Sequence, residues 1–338
     1  MHPHPEHWIT TDQNGLYCAV IDAYIDPLVP VHRAVVTHGH ADHARPGHDE
    51  VFATQQTLDI MRIRYGEDFC KQAQALEYNQ KIQLHQAEFS LVPAGHILGS
   101  SQAIIEYKGR KLVVSGDYKR HADPSCKPFE VVPCDVFITE ATFGLPVFTH
   151  PPIKDEIQKL LNSLALFPDS CHLVGVYALG KCQRLIMGLR ALGYNKAIYM
   201  HGALLKLCDY YVSQGIDLGP YIPVAEVEDM ASLQGEIVLA PPSATNDRWS
   251  RKLPNVITAM ASGWMQIRAR SKQRRAELPL IISDHADWDS LITTIKQVNP
   301  AEVWVTHGRE EALVHQAQAM GYKAKALSLV GYEEDESS

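Results

Sequence analysis

Along the first part of the chain, short apolar runs alternate with polar, turn-forming segments, the rhythm of strands joined by tight connections. Arg33-Ala34-Val35-Val36-Thr37 reads as a short buried strand, as does Lys111-Leu112-Val113-Val114. Helical spacing over residues 54–65 interrupts that rhythm. Pro146, Pro151 and Pro152 then punctuate a boundary. From Ile153 to about Leu278 strands and helices alternate: strand over 171–177, helix over 183–192, strand over 197–200, then a helix from Ala203. This βαβα rhythm predicts a parallel sheet flanked by helices. Leu280-Ile281-Ile282-Ser283 and residues 302–306 read as strands again, separated by a helix over 287–298. The expected organisation is α/β and discontinuous: residues 1–145 with 279–338 make one domain, and 146–278 an inserted second one.

Several of these strands end in residues that bind metals. Thr37-His38-Gly39-His40-Ala41-Asp42-His43 is an HxHxDH motif directly after the Arg33–Thr37 run. Side chains alternate along an extended strand end, so His38 and His40 point the same way and can grip one ion. Asp42 and His43, on the following turn, can reach a second. Downstream, Leu91-Val92-Pro93-Ala94-Gly95-His96 sets a histidine in a glycine-flanked turn, and the 111–114 run leads into Ser115-Gly116-Asp117. Val303-Trp304-Val305-Thr306-His307 ends a fourth strand in histidine. Imidazole and carboxylate suit zinc, at about four ligands per ion with one position left for water in a catalytic site. A single histidine after a strand is usually an ordinary turn residue; four strand ends that each offer a ligand form a specific combination.

In series, His38, His40, Asp42, His43, His96 and Asp117 resemble the metal-site motifs of the metallo-β-lactamase fold. The acidic Phe137-Ile138-Thr139-Glu140-Ala141-Thr142-Phe143-Gly144, the Ser283-Asp284-His285-Ala286-Asp287 run and Thr306-His307-Gly308 resemble motifs A, B and C of its β-CASP nucleic-acid-processing branch. At finer grain, Gly15-Leu16-Tyr17-Cys18, Ser115-Gly116-Asp117-Tyr118-Lys119-Arg120 and Ala261-Ser262-Gly263-Trp264-Met265 resemble the bacterial ligase-associated DNA exonucleases. The likeness runs from about Gly15 to about Gly331. It implies a metallo-β-lactamase αβ/βα sandwich with an inserted β-CASP α/β cap. It also implies a function: single-strand exonuclease action on DNA in repair, with 5′ polarity favoured, beside an ATP-dependent DNA ligase and a helicase. One position departs from that pattern. DNA-acting members of the branch commonly carry valine at motif C and RNA-processing members histidine, and here the residue is His307, so an RNA-processing ribonuclease is the alternative. A non-catalytic nucleic-acid-binding scaffold is a further one, opposed by the presence of all seven ligand positions.

By the same resemblance, His38, His40, His96 and Asp117 hold one divalent ion, and Asp42, His43, Asp117 and His307 a second, zinc or manganese. Between them they activate a water for attack on phosphorus. Asp42, Glu140 and His285 are the expected catalytic residues. His285 stabilises the phosphate or protonates the leaving oxygen, and Glu140 orients a histidine. For nucleic acid, Lys181 and Arg184 stand at an expected helix start, a natural phosphate site, with Ser262 and Gly263 as a second wall. Arg268 and Arg270 open the basic run Arg268-Ala269-Arg270-Ser271-Lys272-Gln273-Arg274-Arg275.

Composition narrows the setting. At 338 residues the chain has room for about two domains. A net charge of −8 excludes a uniformly basic coat, so phosphate must be met by a local patch and by cations. No apolar run approaches the roughly 20 residues that span a bilayer, and Met1-His2-Pro3-His4-Pro5-Glu6-His7 lacks the pattern of a secretory signal. Seven cysteines without a CxxC pair read as reduced thiols, which fits a cytoplasmic protein. The acidic run Glu333-Glu334-Asp335-Glu336 reads as a solvated tail.

Overall fold

The computed structural model describes residues 3–327; the acidic run from Glu333 lies outside them. The chain begins with β1 (Ile9–Asp12), β2 (Gly15–Cys18), β3 (Ala23–Ile25), β4 (Arg33–Val35), β5 (His48–Ala53), helix α1 (Gln55–Tyr65) and β6 (Cys70–Ala75). Next come β7 (Ile82–Leu84), β8 (Ala87–Pro93), β9 (Ser101–Tyr107), β10 (Arg110–Val114) and β11 (Val136–Ala141). The middle of the chain holds α2 (Ile153–Leu166), β12 (His172–Gly175), α3 (Lys181–Ala191), β13 (Ile198–Met200), α4 (Gly202–Ser213) and β14 (Tyr221–Pro223). It continues through β15 (Ile237–Ala240), β16 (Ile257–Ala261), α5 (Arg268–Gln273) and β17 (Leu278–Leu280). The last part is α6 (Trp288–Val298), β18 (Glu302–Gly308), α7 (Glu310–Ala319) and β19 (Lys323–Ala326). Among the described residues there are two compact units, one taking the chain up to Thr149 and again from His285, the other His150–Asp284.

The first unit contains two sheets, ordered β1-β2-β3-β4-β5-β6 and β19-β18-β11-β10-β9-β8-β7. Period-two alternation decides what each strand buries. Val35, Phe52, Phe89, Leu91, Ile105, Leu112, Ile138 and Trp304 share one core between the sheets. The intervening residues point outward: Ala34, Val51 and Ala53 meet Leu58 and Met61 of α1, while Val113, Phe137, Val303 and Val305 meet Leu291 and Ile295 of α6 and Leu313 of α7. Helix, sheet, sheet, helix is the αβ/βα sandwich. The sequence also sets the helix ends. Thr54 caps α1, its Oγ1 accepting from Thr57 N (3.2 Å), and Asp287 caps α6 through Ser290 N (3.0 Å).

The second unit has one sheet, β14-β13-β15-β12-β16-β17, parallel throughout. Leu173, Val238, Ala240 and Leu253 form part of its core. The strand expected over Leu280–Ser283 begins and ends earlier. Pairing runs Ala259–Leu278 to Ala261–Leu280, and beyond it Ile281 N donates to the buried carboxylate of Glu156 (2.9 Å) instead of to a strand. That tie keeps residues 278–284 with the second unit, so the units change over later than the sequence pattern places the boundaries. Among the described residues no helix is long and apolar enough to cross a membrane.

Candidate metal centre

The HxHxDH segment leaves β4 and is gripped from below by a residue the sequence reading did not single out. Asp26, in left-handed backbone at the end of β3 (φ 46°), accepts from Thr37 N (2.7 Å) and Thr37 Oγ1 (2.6 Å). The same carboxylate takes His43 Nδ1 at 2.8 Å. A carboxylate only accepts, so His43 carries its proton on Nδ1 and turns Nε2 toward the site. Thr37 spends its hydroxyl proton on Asp26 and receives His38 Nδ1 at 3.0 Å. His38 therefore also presents Nε2. One buried aspartate thus fixes the tautomer and orientation of two histidines.

Other elements hold the remaining ligands. Gly39 faces α1, where a Cβ would come within 2.6 Å of Ile60, and Arg64 of that helix donates to Gly39 O (2.8 Å). Thr54 and Thr57 donate to Gly99 O (2.7 and 3.1 Å), pinning the loop of His96. At Gly116 (φ 54°) a Cβ would meet Thr37 Oγ1 at 2.7 Å, so only glycine lets the strand end bring Asp117 this close. The register of β11 against β18 shifts between Thr139 and Ala141, a bulge of the kind that re-aims a side chain. Glu140 sits there, buried, its Oε1 accepting from Tyr118 N (2.7 Å) and its Oε2 bonded to His285 Nδ1 (3.0 Å). His307 occupies left-handed backbone (φ 56°) near the end of β18.

These elements bring the candidate ligands together. Ligand atoms of His38, His40, His96 and Asp117 lie within 4.8 Å of one another, the four residues that the family resemblance assigns to one ion. For the other ion, His43 Nε2 lies 3.3 Å from Asp117 Oδ2 and 3.7 Å from Asp42 Oδ2, and the His43 and His307 rings stack at 5.0 Å. No compact ligand group among the described residues includes Asp42 or His307. Asp26, His38 and His43 also form a group, but both Asp26 oxygens are taken by hydrogen bonds, which makes that carboxylate a support. Two atoms test whether a cation belongs here. His38 Nε2 and Asp117 Oδ1 are buried and make no hydrogen bond, a costly state that a divalent cation relieves.

The electrostatics agree. Burial, then the charge of His43, hold His38 well below the usual histidine range, although Asp117 opposes. For His43, burial is outweighed by Asp117, Asp42 and Asp26, which together raise it well above that range. Burial pushes Asp117 up, but His43 and His285 carry it well below a normal carboxylate. Burial raises Glu140, with His285 opposing, and pushes His307 down to about 4, helped by His43. Without a cation the cluster balances its carboxylates by a proton on His43; a bound divalent ion supplies that charge instead.

The residues expected to meet nucleic acid divide into two sets. Lys181 and Arg184 are buried. Lys181 starts α3 as expected, but its Nζ lies 3.4 Å from Asp284 Oδ1 and 4.5 Å from the Tyr177 ring, so its charge is spent inside the unit. Ser262 and Gly263 are buried as well, and Ser262 caps a short helical turn through Trp264 N (3.3 Å). Arg268 is exposed on α5, and Arg270 stacks over Trp264 at 5.5 Å.

An αβ/βα sandwich with a buried His/Asp cluster at its strand ends is a candidate metal centre, and comparison with known proteins narrows its class. Residues 279–327 match the zinc-dependent metallo-hydrolase RNA specificity domain. A probable DNA ligase of Opitutus terrae is 29% identical over 95% of this chain and 31% of its own length. An RNase J-like protein of Methanocaldococcus jannaschii is 26% identical over 61% of this chain and 56% of its own. The endoribonuclease ysh-1 of Neurospora crassa is 34% identical over 34% of this chain and 14% of its own. The chain thus spans less than a third of the Opitutus and Neurospora relatives. In fold, it is similar to a protein of unknown function from Enterococcus faecalis, with a TM-score of 0.60 and 13% identity over 88% of this chain and 80% of the other. Together these likenesses indicate the metallo-β-lactamase/β-CASP family.

Proposed function

We propose that the protein is a metal-dependent exodeoxyribonuclease that shortens single-stranded DNA in repair, with 5′ polarity favoured. The observation that carries this reading is His285, backed by Glu140 at 3.0 Å, beside a ligand cluster centred on Asp117. DNA as substrate is supported by the likeness across 95% of the chain to a protein named a probable DNA ligase. That likeness also supports work alongside a DNA ligase; an ATP-dependent ligase, a helicase and a cytoplasmic setting belong to the same proposal.

His38, His40, His96 and Asp117 would hold one divalent cation, and Asp42, His43, Asp117 and His307 a second. When bound, zinc or manganese here lowers the pKa of water and draws charge from the phosphate oxygens. The chain's own residues do the rest. Asp26 and Thr37 keep one proton of His43 and of His38 on Nδ1, so that Nε2 is the nitrogen each turns to the cation. Glu140 holds His285 by Nδ1, so the ring in its imidazolium form would give its Nε2 proton to the sugar oxygen as the P–O bond breaks, while the water that bonds to phosphorus releases its own proton to solvent. Asp42, at the more open edge of the cluster, completes the catalytic set. Arg268 and Arg270 offer the strand a basic contact; Lys181 and Arg184 support their own unit from within.

RNA is the second reading, favoured by the RNA specificity domain matched at 279–327 and by His307. Short single-stranded DNA and RNA, labelled at either end and incubated with Mn²⁺ or Zn²⁺, decide between them. Stepwise loss of DNA from one end, absent in Asp117→Ala and His285→Ala, is the expected result. Cleavage of RNA alone would transfer the protein to RNA processing.

A further inference from the structure

We propose that Lys119 is a positioning residue for His285. Three consecutive residues a short way beyond β10, Asp117 to Lys119, act on three different parts of the centre. Asp117 supplies a ligand, Tyr118 N holds the Glu140 carboxylate, and Lys119 Nζ donates to the His285 carbonyl oxygen at 2.8 Å. His285 is thereby held at two points, its ring through Nδ1 by Glu140 and its peptide by an ammonium. Two grips on one residue set the imidazole together, so that releasing the peptide also loosens the ring.

The lysine is built in. It is 7% exposed, so its charge-assisted hydrogen bond is little screened. Its amide donates to Ala94 O (3.1 Å), and its carbonyl sits against Gly95, where a Cβ would collide with it. Tyr118 before it is fully buried between Phe129 and Phe137. The loop therefore moves as one piece with Asp117, and Lys119 couples the position of His285 to that of the ligand.

This inference rests on the reading that His285 serves hydrolysis. Its test compares Lys119→Met, Lys119→Arg, His285→Ala and the double variant Lys119→Met/His285→Ala on end-labelled DNA and RNA. Lys119→Met is expected to lower kcat by up to about 100-fold, the scale of a misplaced catalytic group, with KM and metal content unchanged. Lys119→Arg, which still donates, is expected to recover part of the loss. In a His285→Ala background the methionine should cost nothing further. Additive losses, a change confined to KM, or loss of metal would overturn the role. A crystal structure of Lys119→Met gives a readout independent of activity: the His285 carbonyl should shift and its ring should lose the 3.0 Å bond to Glu140. If that bond is kept unchanged, Lys119 does not position His285. If the wild type cuts neither polymer, the hydrolase reading fails, and the crystal structure alone decides the role of Lys119.

Discussion

Replacing Asp26 separates support of the centre from ligation. Its carboxylate accepts three hydrogen bonds, from Thr37 N, Thr37 Oγ1 and His43 Nδ1. Bonds to a charged group are worth roughly 1.5–3 kcal/mol each, but these three share two oxygens and do not add. Breaking a buried pair of this kind costs about 3–5 kcal/mol, which is the loss expected for Asp26→Ala in urea unfolding of the metal-free protein. Asp26→Asn is more informative. Its amide oxygen can still accept from Thr37, while its NH₂, turned to His43 Nδ1, donates where the carboxylate accepted. That moves the His43 proton to Nε2, the nitrogen 3.3 Å from Asp117, and takes away its lone pair for a cation. Metal affinity should fall about 10- to 100-fold, the usual effect of losing a group that orients a ligand, with a smaller loss of stability than in the alanine variant. Competition with a chromophoric chelator measures the affinity. Wild-type affinity in Asp26→Asn would refute the assignment of Asp26 as the residue that sets the His43 tautomer.

Gly116→Ala puts a Cβ 2.7 Å from Thr37 Oγ1 at φ 54°; the left-handed backbone alone costs about 1–2 kcal/mol, so unfolding midpoints should drop and metal uptake weaken. Metal binding should tighten as pH rises, because the carboxylates around His43 make it hold a proton in the metal-free protein that a cation must displace. The sign follows from linkage, at about tenfold per pH unit for each proton released; calorimetry in buffers of different ionisation enthalpy counts the protons, and affinity that is flat or falls with pH contradicts the charge balance described. For Arg268→Ala/Arg270→Ala, binding of single-stranded DNA should weaken and its log–log salt slope should lessen by about 1.4, at about 0.7 for each phosphate no longer neutralised. An unchanged slope would mean that α5 does not meet the strand.

Much of the centre was legible because strands were legible. His38, His40, His96, Asp117 and His307 all follow apolar runs, and a strand end in a layered α/β fold carries its side chains to one rim of the sheet. The helices over 54–65 and 287–298 were legible from their spacing, and the structure makes Thr54 and Asp287, at their starts, N-caps. Asp26 was missed although it carries the same signal, an acid after the apolar end of Ala23–Ile25. Its hydrogen-bonding partners lie 11 and 17 positions away, and nothing local marks that pairing. Lys119 was missed for a similar reason: its acceptor lies 166 positions along the chain. Lys181 was found at its helix start but expected at a surface, because sequence shows that a lysine begins a helix and not that Asp284 and Tyr177 will enclose its charge. The Leu280–Ser283 strand was misplaced because an apolar run does not show where pairing stops, and there the stop is made by Glu156, far upstream on α2.

The most direct test of the metal centre is the number of divalent ions each chain retains after loading with zinc or manganese and exhaustive dialysis, counted by mass spectrometry. The wild type should keep two, and Asp117→Ala, which loses the carboxylate assigned to both ions, should keep at most one. Wild-type protein that retains none, or an Asp117→Ala variant that retains as many as the wild type, would contradict a two-metal hydrolytic centre built on Asp117.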